Sequence, residues 1–295
     1  MKRGRFVRLT LLTLMLATLF SLMLVQGAYA EDIGQTQQCL FVSPNYEAVW
    51  HPGSTAETMS LGLSWNSFLS KDSTLRSQGW RLHQLHTHDY ICGTSSESLS
   101  IDALWTYEPS VNEAAVYAWS WTDFNNKNNQ LRSQGWRLVL VDSFMMMNGV
   151  HFSATWRPST ADQVDIFGWA SSDFLNEIQS LGNQGWGMTL MDSYLVSDGT
   201  PRYNASWRRN IANIIYTGWA PQDFETKYSQ LRNQGWNLDM ETIPGYGAGE
   251  RYTAAWRPTG LSESRNNNMN TTTFAQTQQN MRNWGWNMEF FEQRF

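Results

Sequence analysis

Three carboxylates return at nearly the same place in the chain. Asp142 and Asp192 stand six residues after a tryptophan that follows a glycine, and Glu241 stands five after the next such tryptophan. Paired carboxylates do acid–base work when a cleft holds them together and drives their pKa values apart. Copies on successive repeats are expected to lie far from one another. Capping a turn, or pairing with Arg157, Arg208 and Arg257, is then the simpler role. Each of those arginines directly follows another recurrent tryptophan and could instead stack on a neighbouring ring. A second cluster is His83, His86 and His88. On a strand His86 and His88 point to one face, where a metal would need Asp89 or His51 to complete its ligands. Two solvated histidines on a hairpin is the competing reading, and no cofactor is expected. Gly245-Tyr246-Gly247-Ala248-Gly249 has the composition of a phosphate loop, but it falls in a hairpin turn rather than between strand and helix. No Gly-x-Ser-x-Gly, P-loop or paired Cys-x-x-Cys motif occurs.

The elements that carry these residues are set by a repeat. Leu131-Arg132-Ser133-Gln134-Gly135-Trp136 has counterparts ending at Trp80, Trp186, Trp236 and Trp286, so the Gly-Trp pairs lie 56, 50, 50 and 50 residues apart. A period that regular marks a repeat architecture. Seven residues before the Leu (Met281 in the last copy) stands Phe68, Phe124, Phe174, Phe224 or Phe274, on the same helix face. Ile178 and Tyr228 fill the intervening i+4 position in two copies. Ser120 and Asp123 make a near capping box, Pro221 suits a first turn, and Asp123, Asp173 and Asp223 complement the helix dipole. The Gly then ends the helix in the left-handed conformation.

A strand follows, with Trp136, Leu138 and Leu140 alternating against Arg137, Val139 and Val141. Turn residues such as Asn148-Gly149 and Asp198-Gly199 come next. A return strand then reads aromatic-x-Ala-x-Trp at Phe152–Trp156, Tyr203–Trp207 and Tyr252–Trp256, and more loosely Ile101–Trp105. Short apolar runs at Ala115–Tyr117, Ile166–Phe167 and Ile214–Tyr216 are candidates for a third strand. The fold class expected is an α+β repeat protein of five helix–strand–strand units. Units fall near 65–106, 120–157, 170–208 and 220–257. The fifth is split, because Tyr46–Trp50 reads as a return strand with no helix before it and Trp286–Arg294 lacks a return strand after it. Ring closure, propeller-like, with these two stretches paired is the simplest account; an open solenoid capped by half-units is the alternative.

Residues 1–30 have the form of a secretory signal, with Lys2, Arg3, Arg5 and Arg8, an apolar run from Leu9 to Val25, and Ala28-Tyr29-Ala30 as cleavage site; an uncleaved anchor is the competing reading. A secreted or periplasmic location follows from cleavage, leaving a single repeat domain, 31–295, with no further membrane span. Loss of four cationic residues and no acidic ones moves the formal charge from −5 to −9, which argues against nucleic acid as partner. In an oxidising compartment Cys39 and Cys92 are expected to form a disulfide. Residues 259–272, rich in Asn, Ser and Thr, read as a flexible connection. Thirteen of the 16 tryptophans follow the repeat and are expected in the core; Trp65, Trp121 and Trp284 break it and are candidates for an exposed face.

The order helix, Gly-Trp, strand, Gly-bearing turn, Ala-x-Trp strand resembles the bacterial tandem repeat domain over about residues 46–294. That domain occurs in secreted proteins, often beside a beta-lactamase-like serine hydrolase domain, as in fungal polyglycine hydrolases. The resemblance implies a propeller-like beta structure rather than an activity. The family commonly has Gly-Tyr-Arg where this chain has Gly-Trp, and the Arg is kept at Arg81 and Arg137. The hydrolase nucleophile motif, Ser-x-x-Lys, is not met: three residues before Lys71, Lys127 and Lys227 stand Phe68, Phe124 and Phe224. The expected function is an exported, non-catalytic binding or scaffold module for an extracellular glycan or peptide. The rival is a hydrolase of such a polymer, using carboxylates in one divergent unit, the first being the place to look. Polar departures from the repeat that converge in one cleft favour the enzyme; scattered departures favour the binder. Ligand contacts are expected at the hairpin tips, where Tyr90, Phe144, Tyr194 and Tyr246 would form an aromatic crown or else pin the hairpins as core.

Overall fold

The computed structural model describes residues 44–92, 96–244 and 251–294; for 89–92 and 96–98 it describes the backbone alone. In chain order the elements are β1 (Asn45–Pro52), β2 (Glu57–Ser64), α1 (Trp65–Ser77), β3 (Trp80–Cys92), β4 (Ser96–Tyr107), β5 (Ala114–Ser120), α2 (Trp121–Ser133), β6 (Trp136–Met146), β7 (Gly149–Pro158) and β8 (Gln163–Ala170). Then come α3 (Ser171–Asn183), β9 (Trp186–Leu195), β10 (Pro201–Arg209), β11 (Ile214–Trp219), α4 (Pro221–Asn233), β12 (Asn237–Thr242), β13 (Tyr252–Arg257), β14 (Ser264–Asn270), α5 (Thr271–Asn283) and β15 (Trp286–Arg294). They form five antiparallel three-stranded sheets, each with one helix. The third strand is present in every unit. Residues 264–270, expected as flexible connection, are one of these strands: Asn267 and Asn268 face outward while Met269 packs in the core.

In every sheet the return strand is the middle one. This explains its composition. A central strand is covered on both faces, so Phe152 through Trp156 are all buried, and the Ala at its centre lets the helix approach. Trp50, Trp105, Trp156, Trp207 and Trp256 have no exposed surface. Trp50, Trp105 and Trp156 donate their indole N–H to Gln278, Asp72 and Asn128, the helix residue four after the buried Phe. Ile178 and Tyr228 hold that place in the other two units, and there the indole nitrogens of Trp207 and Trp256 lack a partner. The Gly-Trp tryptophans are half-buried rather than core, and Trp119 and Trp121 are exposed by 38% and 41%, Trp284 by 70%.

The helices begin and end as their sequence requires. Ser64, Ser120 and Asn270 cap with their side chains, and Pro221 opens α4. Gly79, Gly135, Gly185, Gly235 and Gly285 follow the helices with φ between 77° and 91°, a conformation that strains any residue with a Cβ. Each of these five carbonyls accepts a backbone N–H from the segment after the return strand, so the glycine also ties the helix end to its own sheet.

The split unit pairs as the sequence suggests. β1 lies between β14 and β15, with Tyr46 opposite Met269 and Gln293, and Ala48 opposite Asn266 and Phe291. Each core cluster also takes residues from the unit that follows. Leu140 packs with Phe68 and Trp105, Leu190 with Phe124 and Trp156, Phe290 with Phe224 and Trp256, and Leu104 with Phe274 and Met288. The Gly-Trp strands are neighbours in the same succession: β3 beside β6, β6 beside β9, β9 beside β12, β12 beside β15, and β15 beside β3.

Candidate functional site

The five Gly-Trp strands together line a cavity of about 810 Å³. A one-residue bulge early in each strand sets which side chains enter it. Past the bulge, register places His86, Asp142, Asp192, Thr242 and Glu292 in equivalent positions, opposite Asp102, Ser153, Asn204, Thr253 and Glu47 of the middle strands. Each of the five reaches the preceding Gly-Trp strand. Asp142 accepts the Thr87 N–H at 3.2 Å, and Asp192 accepts Ser143 Oγ at 2.5 Å. Thr242 and Ser193 share a hydroxyl hydrogen bond of 2.6 Å. Glu292 accepts the Ile243 N–H at 3.1 Å. His86 Nε2 donates to the Phe291 carbonyl at 2.8 Å, which fixes its tautomer. A belt of side chains thus joins all five strands.

The expectation that Asp142, Asp192 and Glu241 lie far apart is therefore overturned: all three line one cavity. The reason is that their strands adjoin. Their arginine partners also differ from those expected. Arg157 pairs with Glu108 and Glu113, Arg208 hydrogen-bonds Gln163, and Arg257 lies 2.9 Å from Asp239. The acids come from β6, β9, β12 and β15 rather than from one divergent unit, and the first unit contributes histidines. His86 and His88 are half-buried, and both line the cavity. Among the described residues no three His, Cys, Asp or Glu side chains group as a metal would need.

Burial dominates the electrostatics. It drives the Asp192 carboxyl up to about 6 and that of Glu292 up to about 8, with the Asp192 charge adding to the latter. Asp142 and Glu241 are pushed well above the carboxylate range, again first by burial, then by Asp192 and by Glu47 respectively. Asp239 rises to about 7, while His86 and His88 fall to about 4 and about 3. Near neutral pH most of these groups are uncharged and Asp192 is ionised.

Of the expected aromatic crown, Tyr246 lies outside the described residues and Tyr90 is described by its backbone alone. Phe144 is buried and Tyr194 half-buried, and both line the cavity; Tyr194 meets Phe152 edge-on. Trp65 packs against Phe68, and Trp121 against Phe124, Phe152 and Phe167; neither is among the residues that line the cavity. Cys39 lies outside the described residues and Cys92 shows its backbone only, so the disulfide expectation falls there too, as does the signal at 1–30. No helix among the described residues is long and apolar enough to cross a membrane.

Two features went unread in the sequence. Glu292 stands six after Trp286, the same offset as Asp142 and Asp192; Glu241, at offset five, is the residue out of register. A further repeated position, Glu57, Glu113, Gln163, Asn213 and Glu263, keeps the 56, 50, 50, 50 spacing. Four of these accept the backbone N–H two residues after a Gly-Trp tryptophan in the preceding unit: Glu57 from Met288, Glu113 from Leu82, Asn213 from Met188, Glu263 from Leu238. Gln163 instead donates to the Leu138 carbonyl. The period alone could have found them.

No curated protein matches the chain. The family model described as polyglycine hydrolase-like, structural repeat matches twice, at residues 113–159 and 166–210. These spans contain β5 to β7 and most of β8 to β10, so one family repeat corresponds to one sheet with its helix. The two matched units are thus repeats of the polyglycine hydrolase-like kind.

Proposed function

We propose that this chain is an exported, non-catalytic binding module whose five units close into a propeller-like ring, and that its ligand enters the cavity between the Gly-Trp strands. One observation carries the reading: polar side chains from all five strands converge on a single cavity of ligand size. The succession of neighbouring strands, with β15 beside β3, supports closure. Export rests on the form of residues 1–30, and an extracellular glycan or peptide is the ligand class consistent with it. The test is a thermal-shift screen of glycans and peptides against the wild type and Val139→Trp, a bulky change at the cavity wall. Ligands that stabilise the wild type are expected to lose their effect in the variant. Undiminished binding in Val139→Trp moves the site elsewhere.

A second reading, hydrolysis of an extracellular polymer, is favoured by the same convergence together with Asp192 and Glu292, an ionised and a protonated carboxyl near neutral pH in one cavity. Binding ranks first because both carboxyls already accept hydrogen bonds from the neighbouring strand. Hydrolysis of a polymer by the wild type, abolished in Glu292→Gln, would reverse that order.

A further inference from the structure

We infer that the third unit carries a second binding site, a surface cleft that takes the ammonium group of a lysine side chain on a peptide or protein partner. The cleft, of about 470 Å³, is bordered by Trp169, Asp173, Glu177 and Arg202, none of which lines the central cavity. Trp169 and Glu177 are half-buried and Asp173 is exposed. The repeat itself shows what such a place can hold. The position of Glu177 is lysine in three other units, Lys71, Lys127 and Lys227, and Thr277 in the fifth. In the fourth unit the Lys227 ammonium lies over the Tyr216 ring, 4.6 Å from its centre, and 6.0 Å from that of Trp219, the counterpart of Trp169. In the first unit Lys71 Nζ stands 5.9 Å from the Trp105 ring. Lys127 turns to Gln130 instead. The third unit keeps the tryptophan and reverses the charge.

That reversal leaves two interactions unfavourable. Asp173 and Glu177 stand four apart on one helix, where like charges repel, whereas the same spacing in the fourth unit sets Asp223 against Lys227. An aromatic face, moreover, attracts a cation and not a carboxylate. An ammonium seated on Trp169 between the two acids relieves both. Ile166 stands where the fourth unit has Tyr216, so Trp169 is the ring left to carry the charge, and tryptophan holds a cation best. Arg202 borders the cleft as well, and its charge acts on Asp198 and Tyr194. Arg251 holds the same place before Tyr252 in the fourth unit, where Lys227 is seated all the same.

The experiment follows the indole N–H signals of the full chain by NMR at low ionic strength, as a capped alanine peptide with one central lysine is added. Trp169→Phe assigns the signal. A saturable shift of the Trp169 signal is expected, with a Kd in about the millimolar range, the scale for one ammonium held by one ring and two carboxylates near the surface. Added salt should weaken it. The same peptide with norleucine for lysine should leave the signal in place. Glu177→Lys installs the residue of the fourth unit and is expected to abolish the shift without lowering the melting temperature. Glu177→Gln should weaken binding about threefold. Lys227→Glu empties the fourth unit and is expected to add a second saturable shift, at Trp219. A Trp169 signal that stays still, or that moves equally with the norleucine peptide or in Glu177→Lys, overturns the inference. Val139→Trp, the change at the central cavity, is expected to leave the shift unaltered. Peptide binding lost in Val139→Trp and kept in Glu177→Lys would assign the lysine to the central cavity and overturn the inference while sustaining the cavity as ligand site.

Discussion

Asn128, half-way along α2, is polar and buried for one reason: it accepts the indole N–H of Trp156 at 2.8 Å. Asn128→Ala leaves that donor unpaired and is expected to lower unfolding free energy by about 1–3 kcal/mol, read by urea denaturation. Glu292 makes a different prediction. Its ordinary carboxyl value is 4.5, and in the fold it holds its proton to about 8. The unfolded chain ionises first, so the stabilisation from the neutral form is complete below the ordinary value and fades as pH rises toward the folded one. His86 and His88 work the other way: their folded values lie below 6.5, and their contribution fades as pH falls from there toward 4. Above the ordinary histidine value of 6.5 that opposing contribution is complete, so melting temperature should fall as pH rises from there toward 8. Glu292→Gln should flatten the alkaline fall, adding about 1–3 kcal/mol at pH 8 relative to wild type.

The outer strand of each sheet kinks at a left-handed residue: Gly62, Ala118, Gly168, Gly218 and Asn268. Ala118, at φ 52°, is the one with a Cβ and no polar side chain to offset the strain. Ala118→Gly should stabilise by about 0.5–1 kcal/mol, measurable as a higher melting temperature. Helices, turns and the two strands of each hairpin were legible because each rests on local chemistry: the Phe-to-Leu spacing, the Gly stop, the alternation after Trp. The cavity was not. Which acids share it depends on the bulge, and a shift of one residue sends a side chain to the opposite face. Glu241 looked equivalent to Asp142, yet Thr242 holds that register, and Glu241, which also borders the cavity, has Glu47 and Arg265 as its charged neighbours. Convergence between units is a tertiary fact that no count along one strand contains.

Across the molecule, contacts of the kind that join successive units are also made between the fifth and the first. Glu57 accepts the Met288 N–H as Glu113 accepts that of Leu82, and His86 bonds the Phe291 carbonyl. Deleting residues 286–294 removes Met288, Phe290 and Phe291 from two core clusters, each worth about 1.5–3 kcal/mol, and strips β1 of a partner. The expected outcome is loss of the cooperative transition for the whole repeat domain; a truncated chain that still melts sharply would show the units to be independent. The placing of β1 in the middle of its sheet also governs timing. Trp50 and its helix partner Gln278 are 228 residues apart, so β1 is made early and waits. At about 5–20 residues per second that wait is roughly 10–45 s. Through it, a strand destined for complete burial has neither neighbour, and it is then the segment most exposed to capture by a chaperone or by another nascent chain. A circular permutant that joins β15 to β1 by a short linker and opens between β7 and β8 would make all three strands of that sheet in succession, and should refold faster at unchanged stability.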